Sequence, residues 1–361
     1  MSLLIFILIL TGLIVVHELG HLTAAKLFGI KVEEFGVGFP PRLLSIQWGE
    51  TRYSVNLLFF GGFVRIFGER KDEAGGNPHA FANKSRPKQA AVIAAGIVMN
   101  LLFAWLVLSA GYMVGLPTSV EHVGFGEVAD ARATIVGVFP NSPAARAGLV
   151  AGDVVVDIDT ASATLSKGAS SDEVQAFIRE HQEESFVLTI LRDGAEEHFL
   201  TKAEDGLVPG HKAVGINLDD VGMLTLPPHL ALLEGGILAY HMTTATAEGL
   251  FQFFAGLFGG AGNFADIAGP IGIAGIGSRA VANGFAAAVT LTALISINLA
   301  LLNILPIPGL DGGRLLFILI ESVVRRPLPE RITLWFTVGG FALLIGLMVL
   351  VSFHDITRLI G

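Results

Sequence analysis

The chain contains no cysteine. That excludes a disulfide framework and thiolate chemistry, and it leaves the redox compartment open. Charge is also scarce: Asp, Glu, Lys and Arg make up 15% of 361 residues, against 52% hydrophobic residues, and the mean hydropathy is +0.65. Such a chain is too apolar for an ordinary soluble protein, and the composition predicts a polytopic membrane protein. The formal net charge of −9 argues against a nucleic-acid role. No tandem repeat is present. The opening "MSLLIF" lacks Lys and Arg, so the first apolar run has no basic n-region. It reads as a retained signal anchor rather than a cleaved signal.

Long apolar runs are what the chain does have. A membrane span needs about 20 mostly apolar residues, and four stretches qualify: 3–28, 90–116, 285–305 and 333–353. A fifth, 229–258, is interrupted by Glu234, His241, Glu248 and several glycines. It is expected to be an amphipathic or interfacial helix within a segment 228–284. Lys26, Lys31, Arg42, Arg65, Lys84 and Lys88 fall between the first two spans, and Arg314, Arg325, Arg326 and Arg331 between the last two. The positive-inside rule assigns both segments to the cytoplasm. The long acidic segment between the second and third spans, and both termini, then lie outside.

Residues 31–70 are rich in β-formers, with turn signals at Gly49-Glu50 and a break at Gly61-Gly62. This predicts a β-hairpin or small sheet, either with a soluble buried face or dipping into the membrane beside the first helix. Residues 71–89 read as a loop. Residues 117–227 have ordinary soluble composition, with strands at "ATIVGVF" and "VVVDID" and a short helix at "SPAARAG" ended by Gly148. A second helix at "SSDEVQAFIREH" is capped by Ser170 or Ser171, and a hairpin turns at Asp193-Gly194. The expected fold is therefore an α-helical membrane protein of about four spans. A membrane-associated β region (31–89) follows span one (1–30), and one extracytoplasmic α+β domain is inserted after span two (90–116). Span three covers 285–313, and 314–361 holds a loop and span four.

Within the first run stands "HELGH": His17, Glu18 and His21. On a helix, positions i and i+4 share a face, so both imidazoles reach one metal ion while Glu18 is left to hold a water. Ionisable residues at membrane depth are costly and point to function. A catalytic zinc site needs a third protein ligand and an open position. The candidate is Asp311, beyond Pro306 and Pro308 and beside Gly312-Gly313. A broken helix there aims a carboxylate inward, or the same turn merely ends a span.

HELGH together with "NILPIPGLDGG" (303–313) resembles the site-2 protease family of intramembrane zinc metalloproteases, whose pattern is HExxH in one core helix and N-x-x-P-x-P-x-L-D-G in another. Asn303, Pro306, Pro308, Leu310, Asp311 and Gly312 match the second pattern. "VFPNSPAARAGLVAGDVVVDID" (138–159) looks like a PDZ domain of the kind inserted in bacterial members, and "AGPIGI" (268–273) is similar to a family segment. The chain departs from many relatives at Phe60, at Gly96-Ile97 and at Thr160, none of them a ligand position.

The resemblance implies one Zn²⁺ held by His17, His21 and Asp311, with Glu18 as general base. Asn303 and Asn100 could donate to the oxyanion or the substrate backbone, although Asn100 serves equally well as interhelical glue. Val55, Leu57 and Phe59 would offer a strand edge to an unwound substrate. Expected partners are the bilayer of a bacterial inner membrane and single-span substrates, such as an anti-sigma factor or leftover signal peptides. The PDZ-like domain would bind C-terminal tails or exclude bulky ectodomains. The competing classes are a membrane-anchored scaffold with a vestigial metal site and a transporter.

Overall fold

A computed structural model describes residues 2–69, 71–192, 194–208, 211–259, 270–326 and 328–360. The chain opens with α1 (Ser2–Leu27), β1 (Val32–Trp48), β2 (Thr51–Ile66), a single turn α2 (Lys71–Ala74) and α3 (Arg86–Val114). The middle holds β3 (Leu116–Ser119), β4 (Ala129–Val138), α4 (Pro143–Ala147), β5 (Val154–Asp159), β6 (Thr164–Leu165) and α5 (Ser171–Glu180). It continues through β7 (Ser185–Arg192), β8 (Ala195–Lys202), β9 (Glu204–Val208), β10 (His211–Ala213) and β11 (Ile216–Leu224). Five helices follow: α6 (Pro228–Phe258), α7 (Pro270–Ala282), α8 (Phe285–Ile304), α9 (Asp311–Val324) and α10 (Glu330–Ile360). The chain divides into two compact units, residues 1–108 with 235–361, and residues 109–234.

In the first unit, α1, α3 and α8 are long and apolar enough to cross a membrane. They leave large apolar side chains such as Leu4, Leu8, Leu102 and Leu106 exposed, the surface that lipid rather than water tolerates. Between α1 and α3 the chain does not form a simple hairpin. Residues 34–37 face 52–55 in rising register, from Glu34 with Arg52 to Val37 with Val55, and also face 62–65 in falling register. Residues 44–48 pair with 51–55. The two strands thus double back into a four-segment sheet, bent where the sequence offers Gly38 and Gly61, both at positive φ. That sheet lies along α1. Thr11 Oγ1 donates to the Phe59 carbonyl, and Lys26 Nζ donates to Tyr53 Oη at 2.6 Å. Leu22, Ala25, Ile30, Val32, Phe35, Ile66, Val92, Ile93 and Ile318 form one buried cluster that ties α1, the sheet, α3 and α9 together.

The other unit carries a seven-stranded sheet, ordered β3-β11-β4-β5-β7-β8 with β6 beside β5. Its core gathers Ile135, Val155, Ile158, Val174, Phe186, Leu188 and Ile190. The local signals in this region act as expected. Ser142 caps α4, which Gly148 ends at φ 92°, and Ser170 rather than Ser171 caps α5. Arg192 pairs with Ala195, leaving two residues for the turn, of which Asp193 lies outside the described residues.

Two boundaries differ from expectation. The second long helix starts at Arg86 and ends at Val114, and Leu116 already belongs to a strand. Asp311 does not close the third span, and residues after 313 are not a loop, because a separate helix, α9, begins at Asp311. Pro306 and Pro308 lack the N–H that would continue α8. A carboxylate in a helix's first turn suits the positive end of its dipole. The segment 229–258 is one helix, α6, and is not among the three candidate spans. Of "AGPIGI", residues 268–269 lie outside the described residues. The rest opens α7, which meets α1 where Gly277 leaves room for the Phe6 ring.

Candidate metal centre

Two helices of the first unit deliver the polar groups. α1 supplies His17 and His21, 8% and 5% exposed, stacked one turn apart as their spacing requires. α9 supplies Asp311. His17 Nε2 lies 2.9 Å from Asp311 Oδ2, His21 Nε2 lies 3.2 Å from the same oxygen, and the two Nε2 atoms are 3.2 Å apart. Among the described residues this is the one group of three such side chains gathered closely enough to hold a metal. Zinc bonds of about 2.0–2.1 Å in a tetrahedron put neighbouring donors roughly 3.3 Å apart. The observed triangle is within a few tenths of an ångström of that, so the residues present fit one zinc ion.

Small residues make the convergence possible. A Cβ on Gly96 of α3 would stand 2.6 Å from His21 Nε2 and 2.8 Å from His17 Cε1. At the start of α9, a Cβ on Gly312 would strike the carbonyls of Ile304 and Leu305. Glycine there lets the start of α9 seat against the end of α8, with Asp311 next to it.

The triangle opens onto a cavity of about 290 Å³ lined by Glu18, Phe63, Val64, Ile66, Asn100, Asn303, Asp311 and Arg314, among others. Glu18 lines this cavity together with Phe63, Val64 and Ile66 of the sheet. Residues 62–66 pair with β1 on one side, and among the described residues no further strand pairs with the other. Val55, Leu57 and Phe59 are exposed and do not line the cavity. Val55 is paired with both Val37 and Leu44 and so is interior rather than an edge. Both asparagines line the cavity, and Asn100 is fully buried with its amide 3.3 Å from His17 Nδ1.

Sequence reasoning placed a strand edge within the apolar stretch 50–67 without singling out 62–66, and it missed Gly96 and Arg314 as parts of the centre. Arg314 pairs with Glu69 at 2.9 Å and lies over the Phe81 ring. Its position three residues after Asp311 on one helix was an available signal. Nothing in a linear pattern says which stretch of a doubled-back strand faces α1.

The model of Peptidase family M50, the site-2 protease family, matches residues 5–347. The chain belongs to this family. A protein of Nostoc sp. named as a zinc metalloprotease is 33% identical over 99% of this chain and 97% of its own length. One of Clostridium perfringens, similarly named, is 32% identical over 96% of each. Zinc metalloprotease RasP of Oceanobacillus iheyensis is 28% identical over 98% of each. This M50 member is accordingly a membrane-embedded zinc metalloendopeptidase.

Proposed function

We propose that His17, His21 and Asp311 hold the zinc, that Glu18 is the general base, and that the enzyme hydrolyses peptide bonds within transmembrane segments of other membrane proteins. The observation that carries this is the convergence of two buried imidazoles, on a helix apolar enough to span a bilayer, with the Asp311 carboxylate of α9, the donor atoms lying 2.9–3.2 Å apart. Zinc bound there supplies Lewis acidity to the scissile carbonyl and to the attacking water. Glu18 takes a proton from that water and returns it to the leaving amine. Asn303, on the cavity wall, donates to the developing oxyanion.

A transmembrane substrate arrives as a helix with its peptide groups already paired. The free side of residues 62–66, bordering the cavity and Glu18, offers new backbone partners to an unwound stretch. That assigns the substrate-pairing role to this segment in preference to Val55, Leu57 and Phe59. The sheet then sits at membrane depth beside α1, its unpaired groups satisfied by the cavity. The helix α10 serves as a fourth span. The basic segments 26–88 and 314–331 face the cytoplasm of a bacterial inner membrane, and residues 117–227 form a PDZ-like domain outside it that receives C-terminal tails or excludes bulky ectodomains. Suitable substrates are single-span regulators such as an anti-sigma factor, cut in regulated intramembrane proteolysis, and signal-peptide remnants.

The test is metal analysis with cleavage of a tagged single-span substrate in detergent. One zinc per chain and cleavage inside the span are expected, both lost in His17→Ala. A cut confined to a soluble flank would overturn the intramembrane assignment.

A further inference from the structure

Each imidazole of the centre has a second nitrogen that needs a partner in a buried site. For His21 the partner is unambiguous. Its Nδ1 lies 2.9 Å from the Val92 carbonyl, which can only accept. Nδ1 therefore carries the proton, and Nε2 keeps a lone pair for a metal. For His17 the partner is Asn100, whose Nδ2 lies 3.3 Å from His17 Nδ1. In that orientation the amide donates, so the ring proton must sit on Nε2, pointing at Asp311. The amide oxygen is then buried with no hydrogen-bond partner.

Oxygen and nitrogen of an Asn amide are nearly isosteric, and a half-turn exchanges them. Turned, Oδ1 accepts from His17 Nδ1–H and Nε2 regains its lone pair. In the first orientation the amide oxygen is left without a partner, and the half-turn gives it one in the ring N–H.

We propose that Asn100 is the positioning residue of His17: its amide oxygen takes the Nδ1–H hydrogen bond and fixes the ring's tautomer and tilt for zinc. This rests on His17 being a zinc ligand. It replaces the oxyanion role, because the side chain meets a ligand's outer nitrogen instead of a reacting atom. It also goes beyond interhelical glue. The bond between helices is made by the Asn100 backbone, whose carbonyl accepts from Ser296 Oγ of α8 at 2.8 Å. The side chain is left for the ring.

The experiment measures zinc affinity of the full chain in detergent by competition with a chromophoric chelator, a readout independent of turnover. Hydrogen-bond partners of metal-binding histidines typically account for roughly 10–100-fold in metal affinity, and Asn100→Leu is expected to weaken zinc by that much. Asn100→Asp keeps the shape and supplies only acceptors, so it should bind at least as tightly as the parent. Unchanged affinity in Asn100→Leu with cleavage lost would return the residue to the oxyanion. Equal weakening in both variants would show that no acceptor is needed, and would also overturn the proposal. Should Asn100→Leu fail to fold, Asn100→Asp decides alone: retained affinity supports the proposal, and a loss of about tenfold or more sinks it. His17→Ala separates the two levels, since full zinc retention there would refute the ligand assignment itself rather than the role of Asn100.

Discussion

Both units bury charge, and they do so to different ends. In residues 109–234, Asp153 is fully buried and completely answered. Arg192 donates to both carboxylate oxygens at 2.7 Å, and the Val150 N–H adds a third bond at 2.9 Å. This is a closed fork of the kind that holds a fold in register. In the first unit, Asp311 faces two imidazoles and no guanidinium or ammonium across the 2.9 and 3.2 Å contacts. Three donor atoms point at one another, an arrangement that gains little by itself and becomes favourable around a cation. Satisfied burial marks structure, and convergent burial marks chemistry.

The comparison breaks most sharply at the centre itself. Glu18→Gln and Asp311→Ala are both expected to abolish cleavage, and metal analysis should tell them apart. Gln fills the space of Glu without touching a ligand candidate, so zinc stays and only the base is lost. Removing Asp311 leaves two imidazoles, and dialysis against a chelator should strip the metal. Full zinc and preserved activity in Asp311→Ala would mean that the third ligand lies outside α9.

Gly96→Ala comes next in size. It changes no donor, yet its methyl would stand 2.6 Å from His21 Nε2. Because interiors are close-packed, the imidazoles have to yield. Zinc affinity should fall by roughly the 10–100-fold seen when ligand orientation is lost, with the helices still folded by circular dichroism. Parent-like zinc binding would show that the two helices separate freely at that level.

These two experiments also separate what the sequence disclosed from what it concealed. HELGH and the Asp311 turn were legible because a helix period and two prolines are local properties. So were the caps of α4 and α5 and the β7–β8 register. Gly96 was not legible as part of the centre, because its role exists only once α3 crosses α1. The choice of 62–66 over Val55, Leu57 and Phe59 was hidden for a similar reason. Both stretches are equally apolar, and only the folding back of β1 and β2 decides which one borders Glu18.

In the other unit the expected effects are on stability. Arg192→Met leaves the buried Asp153 carboxylate with the Val150 N–H, and breaking such a pair costs about 3–5 kcal/mol. Thermal unfolding of the full chain should show an early transition while zinc content stays at one per chain. Combining it with Asp153→Leu should recover much of the loss, because apolar replacement of a whole buried pair is often neutral. No comparable double replacement at His17 and Asp311 can restore cleavage. A parent-like melt for Arg192→Met alone would show that the fork contributes no net stability.

The smallest effect lies at the start of α5 and tests whether local signals in this unit act locally. Ser170 Oγ accepts from the Glu173 N–H at 3.3 Å, and the Glu173 carboxylate accepts from the Ser170 N–H at 2.8 Å, a reciprocal capping box. The helix has ten residues, too few to persist in water alone, so it depends on Val174 and Ile178 packing into the core. Ser170→Ala removes the acceptor and keeps that packing. The cost is expected at about 1 kcal/mol, far below the loss for Arg192→Met, with zinc affinity and cleavage unchanged. Amide exchange should quicken at Asp172 and Glu173, in the first turn, and leave Ile178 protected. Uniformly faster exchange along α5 would mean that the cap holds the whole helix in place. No change at all would mean that Glu173, bonding back to the Ser170 N–H, suffices on its own.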